Sequence, residues 1–204
     1  MKIFVIGLNK TGTCSLHSLF IELNINSTHS VTPVMDIIDK FDAFTDGDHT
    51  DTFTKYYKKF PDSLFILNTR PIANWLISRY KHAEVVHACE DCWCWPVSKE
   101  RTNGWITNRE TLYTRVFNFF LDKPNQLLIV NIEKPGWETA VSTFIQKPYT
   151  FKPIHENAIK KIDEDNKCLI LENVLMCLAQ RGYNGNELLS KSINIRSYNY
   201  KTFL

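Results

Sequence analysis

The segment Gly7-Leu8-Asn9-Lys10-Thr11-Gly12-Thr13-Cys14-Ser15-Leu16 is built from residue types that hold an anion. Its two glycines let the backbone turn tightly and come close to a ligand. An anion seated there meets the amides and partial positive charge of a helix N-terminus, the ammonium of Lys10 and the hydroxyls of Thr11, Thr13 and Ser15. A nucleoside-triphosphate loop reads G-x-x-x-x-G-K-[ST], and Gly7 and Gly12 keep that spacing. Thr13, however, stands at the lysine position and Cys14 at the magnesium-ligand position. A thiol is a poor partner for hard Mg²⁺. The loop therefore suits a terminal anionic group handled without a metal, and no metal is expected.

A second anion cradle is expected at Asn68-Thr69-Arg70-Pro71, where a strand ends, an arginine follows and a helix begins, with Trp75 and Ser78 in that helix. Arg70 and Ser78, taken alone, are also compatible with a surface ion pair and an ordinary helix position. His87, Cys89, Cys92 and Cys94, with His82 nearby, raise the question of zinc. The run holds one C-x-x-C with an overlapping C-x-C and no distant partner pair, so thiols packed among Trp93, Trp95 and Trp105 are the simpler expectation. Cys14, Cys168 and Cys177 have the look of packing residues, and His17 that of a histidine at the core edge.

The loop resembles the 5′-phosphosulfate loop of the sulfotransferases, whose G-x-x-K-T-G-T-x-S-L core is matched from Gly7 to Leu16. In that family an arginine and a serine eight residues later hold the 3′-phosphate of the donor 3′-phosphoadenosine 5′-phosphosulfate, and Arg70 and Ser78 keep that spacing. The chain is most similar to a globular, bacterial-type subgroup, which it matches at Thr45-Asp46, at Asn131-Ile132-Glu133 and along Lys147-Pro148, Phe151, Pro153, His155, Glu156 and Asn157. It departs where the subgroup has proline two residues after the aspartate, since Asp48 stands there. The resemblance implies a P-loop-like sulfotransferase fold and a donor site formed by Asn9, Lys10, Thr11, Gly12, Thr13, Cys14, Ser15, Arg70 and Ser78.

Sulfuryl transfer moves an electron-poor centre between two oxygens in line, so the protein's task is positioning and charge stabilisation. Lys10 is the expected catalytic cation, beside the departing 5′-phosphate, and Asp46 the first choice of base for an acceptor hydroxyl or amine. An aspartate in a Thr-Asp-Gly-Asp turn also satisfies backbone amides. Asp48 and His49 stand just beyond it, and Glu133 and His155 are further alternatives. Two other functions compete with an enzyme of this class: a P-loop nucleotide kinase, and a module that binds the donor nucleotide without turning it over.

These residues need a scaffold that brings strand ends together. Short apolar runs predict four strands, at 3–6, 41–45, 64–68 and 127–132. Helical spacing appears in Leu16, Leu19, Phe20 and Leu23, and again in Phe53, Tyr56, Tyr57 and Phe60 with Asp51 placed to cap. A third helix should follow Pro71, and a fourth should start near Thr107, which has capping-box spacing to Glu110. The alternation predicts an α/β fold with a parallel sheet of about four or five strands and helices on both faces. Past the fourth strand the pattern turns helical, at Trp137, Val141, Phe144 and Ile145, then at Leu171, Val174, Leu175 and Leu178 before Gly182. The charged stretch 160–167 fits a solvated helical face.

At 204 residues and 44% hydrophobic content, one domain spanning 1–204 with its own core is expected. A lid or acceptor-side insertion is expected at 85–106, whose aromatic residues suit a sugar or an aryl ring. A formal charge of +2 argues against a general polyanion surface, and the aromatics fall at helical spacing rather than among basic residues, so no nucleic-acid partner is expected. No apolar run approaches the roughly 20 residues of a membrane span, and the N-terminal run is too short for a secretory signal. A cytoplasmic protein with reduced thiols and a small-molecule or carbohydrate acceptor is the resulting expectation.

Overall fold

A computed structural model describes residues 1–86, 98–148 and 164–183. The cysteine cluster at His87, Cys89, Cys92 and Cys94, the expected insertion between 87 and 97, and His155 lie outside these residues.

The chain forms one parallel sheet of five strands in the order β2-β3-β1-β4-β5. The strands are β1 (Ile3–Val5), β2 (Ser27–His29), β3 (Ala43–Thr45), β4 (Leu64–Thr69) and β5 (Leu127–Asn131). Four match the apolar runs. The fifth, β2, was not expected, because three residues of sequence Ser-Thr-His carry no hydrophobic alternation. It is held instead by its pairing with β3, with Thr28 opposite Phe44, at an edge where one side needs no apolar neighbour.

Strand alternation divides the core into two. Ile3, Val5, Ala43, Ile66 and Val130 pack on one face against Leu16, Leu19 and Phe20 of α1 (Thr13–Glu22) and Val141 of α5 (Trp137–Phe144). On the other face, Phe4 stacks between Phe44 and Phe65 at 5.4 Å from each, and Tyr56 of α2 (His49–Lys59) closes on it at 5.0 Å. That second layer also takes Trp75 and Leu76 from α3 (Ile72–Val86), Tyr113 and Val116 from α4 (Lys99–Phe120), and Val174 from α6 (Glu164–Gln180). Helices thus cover both faces of a Rossmann- or P-loop-like α/β sheet.

Three helix details differ from expectation. Helix α4 starts two turns before Thr107, because the Ser98 side chain caps it by accepting from the Arg101 N–H at 3.2 Å. Residues 99–106 of the expected insertion are therefore helix. Thr107 and Glu110 serve another purpose, since both accept from the Arg181 guanidinium, at 2.7 and 2.8 Å, and tie α4 to the end of α6. Asp51 lies in the first turn of α2, and the residue ahead of that helix is Asp48. The buried stripe of α6 runs through Ile170, Asn173, Val174, Cys177 and Leu178, leaving Leu175 exposed, because Asn173 turns inward to accept from Thr102 Oγ1 at 2.7 Å.

Candidate functional site

The loop between β1 and α1 is pinned from below by β4. Asn68, wholly buried, accepts from the Gly7 N–H at 3.0 Å and donates through Nδ2 to the Thr11 carbonyl at 3.1 Å and the Thr11 hydroxyl at 2.7 Å. Gly7 is required here, since a Cβ would stand 2.1 Å from Asn68 Oδ1. Trp75 Nε1 donates to the Asn9 carbonyl at 3.0 Å, and an Arg79 amino group bonds the Asn9 side chain. Lys10 takes a left-handed φ of 65° and Gly12 one of 94°, where a Cβ would press on Ile132 Cδ1 at 2.4 Å. This turn brings Thr13, Cys14 and Ser15 to the N-terminus of α1 ahead of its first internal bond, from Leu16 N–H to the Gly12 carbonyl.

A cleft of about 300 Å³ opens above this turn, at the C-terminal edge of the sheet. From the loop it is lined by Asn9, Lys10, Gly12, Thr13, Cys14 and Ser15. The β4–α3 junction adds Arg70, the second turn of α3 adds Ser78, and Asp46 comes from the end of β3. Of the expected site residues, Thr11 is the one not brought to the cleft. Its side chain is fully buried, with the hydroxyl donating to the Leu8 carbonyl and accepting from Asn68. Cys14, expected also to pack, lines the cleft, whereas Cys177 is buried in the core.

The residues around Asp46 divide sharply. Asp46, at φ 56°, accepts from the Ser30 hydroxyl at 3.1 Å and lies 3.8 Å from His29 Nε2. Asp48 is committed elsewhere, accepting from the Val34 N–H and the Tyr56 hydroxyl, both at 2.9 Å. His49 is wholly buried and donates to the Val5 carbonyl at 2.8 Å. Burial pushes its imidazole down from 6.5 to about 4, against the raising effects of that carbonyl and the Asp48 and Asp46 charges. Glu133 is held by Arg70 Nη2 at 2.6 Å and Asn74 Nδ2 at 2.7 Å. Among the base candidates in the described residues, Asp46 is the one that lines the cleft.

Two lining residues, His29 and Ser30 at the end of β2, escaped the sequence, and two others it singled out for different reasons, His82 on α3 beside the possible zinc ligands and Ile132 beyond β5 in the subgroup match. His29 carries the most chemistry. Its Nδ1 lies 2.8 Å from Thr45 Oγ1, its Nε2 lies 3.2 Å from Cys14 Sγ, and its ring stacks on His17 at 5.9 Å. The missing signal was the edge strand itself. Once β2 is known to run parallel beside β3, residue 29 must reach the same edge as Thr45.

The cleft brings together the Lys10 ammonium, the Arg70 guanidinium with Glu133 paired to it, the N-terminus of α1, hydroxyl donors and the Asp46 carboxylate. Chemically it can hold an extended, doubly anionic ligand and take a proton from a second molecule. Comparison with protein-family models and with curated proteins finds no match to the chain. Among the described residues no helix is long and apolar enough to cross a membrane, and no group of three or more His, Cys, Asp or Glu could hold a metal ion.

Proposed function

We propose that the chain is a sulfotransferase, which moves a sulfuryl group from 3′-phosphoadenosine 5′-phosphosulfate to a hydroxyl or amine acceptor. The observation that carries this reading is the convergence of Lys10, Arg70, Ser78 and Asp46 on one cleft. The sequence resemblance chose Lys10, Arg70 and Ser78 for the donor's two ends, and they come from segments 60 residues and more apart. The donor set fits: two cations, the amides opening α1 and the hydroxyls of Thr13, Ser15 and Ser78 all suit anionic oxygens.

The donor supplies an electron-poor sulfur between a leaving phosphate and an incoming nucleophile. Lys10 neutralises the charge that builds on the phosphate side, in the role a divalent cation has in nucleotide hydrolases. The amides of Thr13, Cys14 and Ser15 steady the same charge through the helix dipole. Arg70 and Ser78 fix the far phosphate and so the register of the ligand. Asp46 accepts the acceptor's proton from across the cleft. Thr11, with its hydroxyl turned inward, shapes the loop rather than touching the donor.

A thermal-shift titration compares 3′,5′-bisphosphoadenosine with ATP plus Mg²⁺. Stabilisation by the bisphosphate supports this reading, and stabilisation by ATP alone supports a P-loop kinase. An acceptor library run with labelled donor then separates an enzyme from a module that binds the nucleotide without turnover.

A further inference from the structure

We propose that Glu133 is a positioning residue that sets ligand specificity: it holds the Arg70 guanidinium at the cleft and so favours nucleotides with a 3′-phosphate over those with a 5′-phosphate alone. The inference rests on the proposed donor site and adds the residue that sets its preference.

The sheet brings the two side chains together. Asn131 lies opposite Thr69 in the parallel pairing of β5 with β4, and the ladder runs one residue further, from the Ile132 N–H to the Thr69 carbonyl at 3.3 Å. Arg70 and Glu133 therefore leave neighbouring strand ends at one edge of the sheet. Asn131, buried, turns the chain there by accepting from the Glu133 N–H at 2.9 Å. The carboxylate is then held at both oxygens. Oε2 accepts from Asn74 Nδ2, in the first turn of α3, at 2.7 Å, and Oε1 takes Arg70 Nε at 2.7 Å and Nη2 at 2.6 Å.

The Arg70 and Glu133 side chains are 19% and 24% exposed, so solvent screens this pair less than one on the open surface. Arg70 Nη1 donates to the Lys10 carbonyl at 3.3 Å, and the guanidinium thus spans from the end of β5 to the loop. One N–H on each of Nη1 and Nη2 is left for anionic oxygens in the cleft that Arg70 lines. A loose arginine would lose its rotamer freedom on meeting a phosphate. Here that loss is already met in the fold. By charge alone Glu133 opposes an anion. The two effects have opposite signs, so removing Glu133 shows which one governs.

Isothermal calorimetry on the full chain compares 3′,5′-bisphosphoadenosine with 5′-AMP. The parent should prefer the bisphosphate. Glu133→Ala should weaken the bisphosphate about tenfold and 5′-AMP by less than about threefold. Asn74→Ala, which leaves both charges in place, should lower the same preference about threefold. Bisphosphate binding that is unchanged or tighter in Glu133→Ala overturns the proposal, as does an equal loss for both ligands, which would mark a merely structural role. Where Glu133→Ala does not fold, an unchanged preference in Asn74→Ala overturns it. A parent that binds both ligands alike removes the donor-site reading and this inference with it, whereas a parent preference that both variants retain removes the inference alone.

Discussion

Asn68 holds Thr11 by two bonds from one amide nitrogen, 2.7 Å to the hydroxyl and 3.1 Å to the carbonyl, and so fixes the middle of the β1–α1 loop to the end of a core strand. Asn68→Ala leaves the Gly7 N–H and the Thr11 carbonyl without these partners inside the protein. Each orphaned group costs about 1–3 kcal/mol. Urea unfolding should show a loss of at least about 2 kcal/mol, and the variant should bind 3′,5′-bisphosphoadenosine poorly even where it remains folded.

Lys10→Ala and Thr11→Ser separate the two roles within the loop. Lys10→Ala should cost roughly 10²–10³-fold in kcat with little change in melting temperature, by analogy with the loss of an oxyanion donor. Thr11→Ser keeps the inward hydroxyl and should hold kcat within about threefold while lowering the melting temperature, because the buried methyl is lost. Steady-state turnover with labelled donor and a melting curve read both. A Lys10→Ala variant with full activity would remove the mechanism.

Asp46→Asn keeps the shape at the end of β3 and the bond from Ser30 but removes the proton acceptor. Turnover should fall by about 10²-fold or more, with bisphosphate affinity nearly unchanged in isothermal calorimetry. Asp48→Asn should instead weaken the contacts from Val34 and Tyr56, so its effect belongs to stability. If Asp48→Asn proved the more damaging to kcat in folded protein, the assignment of the base to Asp46 would be lost.

His49 sets a pH dependence whose sign follows from its burial. The folded chain keeps the imidazole neutral down to about 4, whereas an unfolded chain protonates it from 6.5. Between those values the unfolded state binds more protons, so stability is full above 6.5 and is lost as the pH falls toward 4. The full effect is about 3 kcal/mol. His49→Gln, which retains a donor for the Val5 carbonyl, should flatten this slope in chemical unfolding followed across the window.

Arg181 fastens the last turn of α6 to α4 through Thr107, Glu110 and Asn103. Its guanidinium and the Glu110 carboxylate are about one quarter exposed, which keeps the ion pair's contribution modest. Arg181→Ala should cost about 1–2 kcal/mol and raise amide exchange in α6 well before the sheet opens.

The sheet was legible because four of its strands are apolar and bounded by turns, and parallel strands buried on both faces must be so. The turn between β1 and α1 was legible for a different reason: its glycines answer to contacts, with Asn68 and with Ile132, that no larger residue tolerates. What the sequence hid is polar. β2 carries no apolar pattern, so His29 and Ser30 had no assigned edge. Ser98 caps a helix whose first turn is all charged and polar. Thr107 and Glu110 have the spacing of a cap yet answer to Arg181, 71 residues and more away in the chain. Likewise, nothing local separates Asp46 from Asp48, and only Val34 and Tyr56, arriving from elsewhere, take one of them out of the cleft.

The cleft takes residues from beyond the ends of all five strands: Ser30 after β2, Asp46 after β3, the loop after β1, Arg70 after β4 and Ile132 after β5. On the proposed function, a donor seated there would act as a clasp across the width of the sheet. Once bound, that donor would oppose separation of these strand ends, so occupancy and resistance to proteolysis should rise together by mass action. On the same reading, the lifetime of this polypeptide in a cell would then follow the supply of the proposed donor.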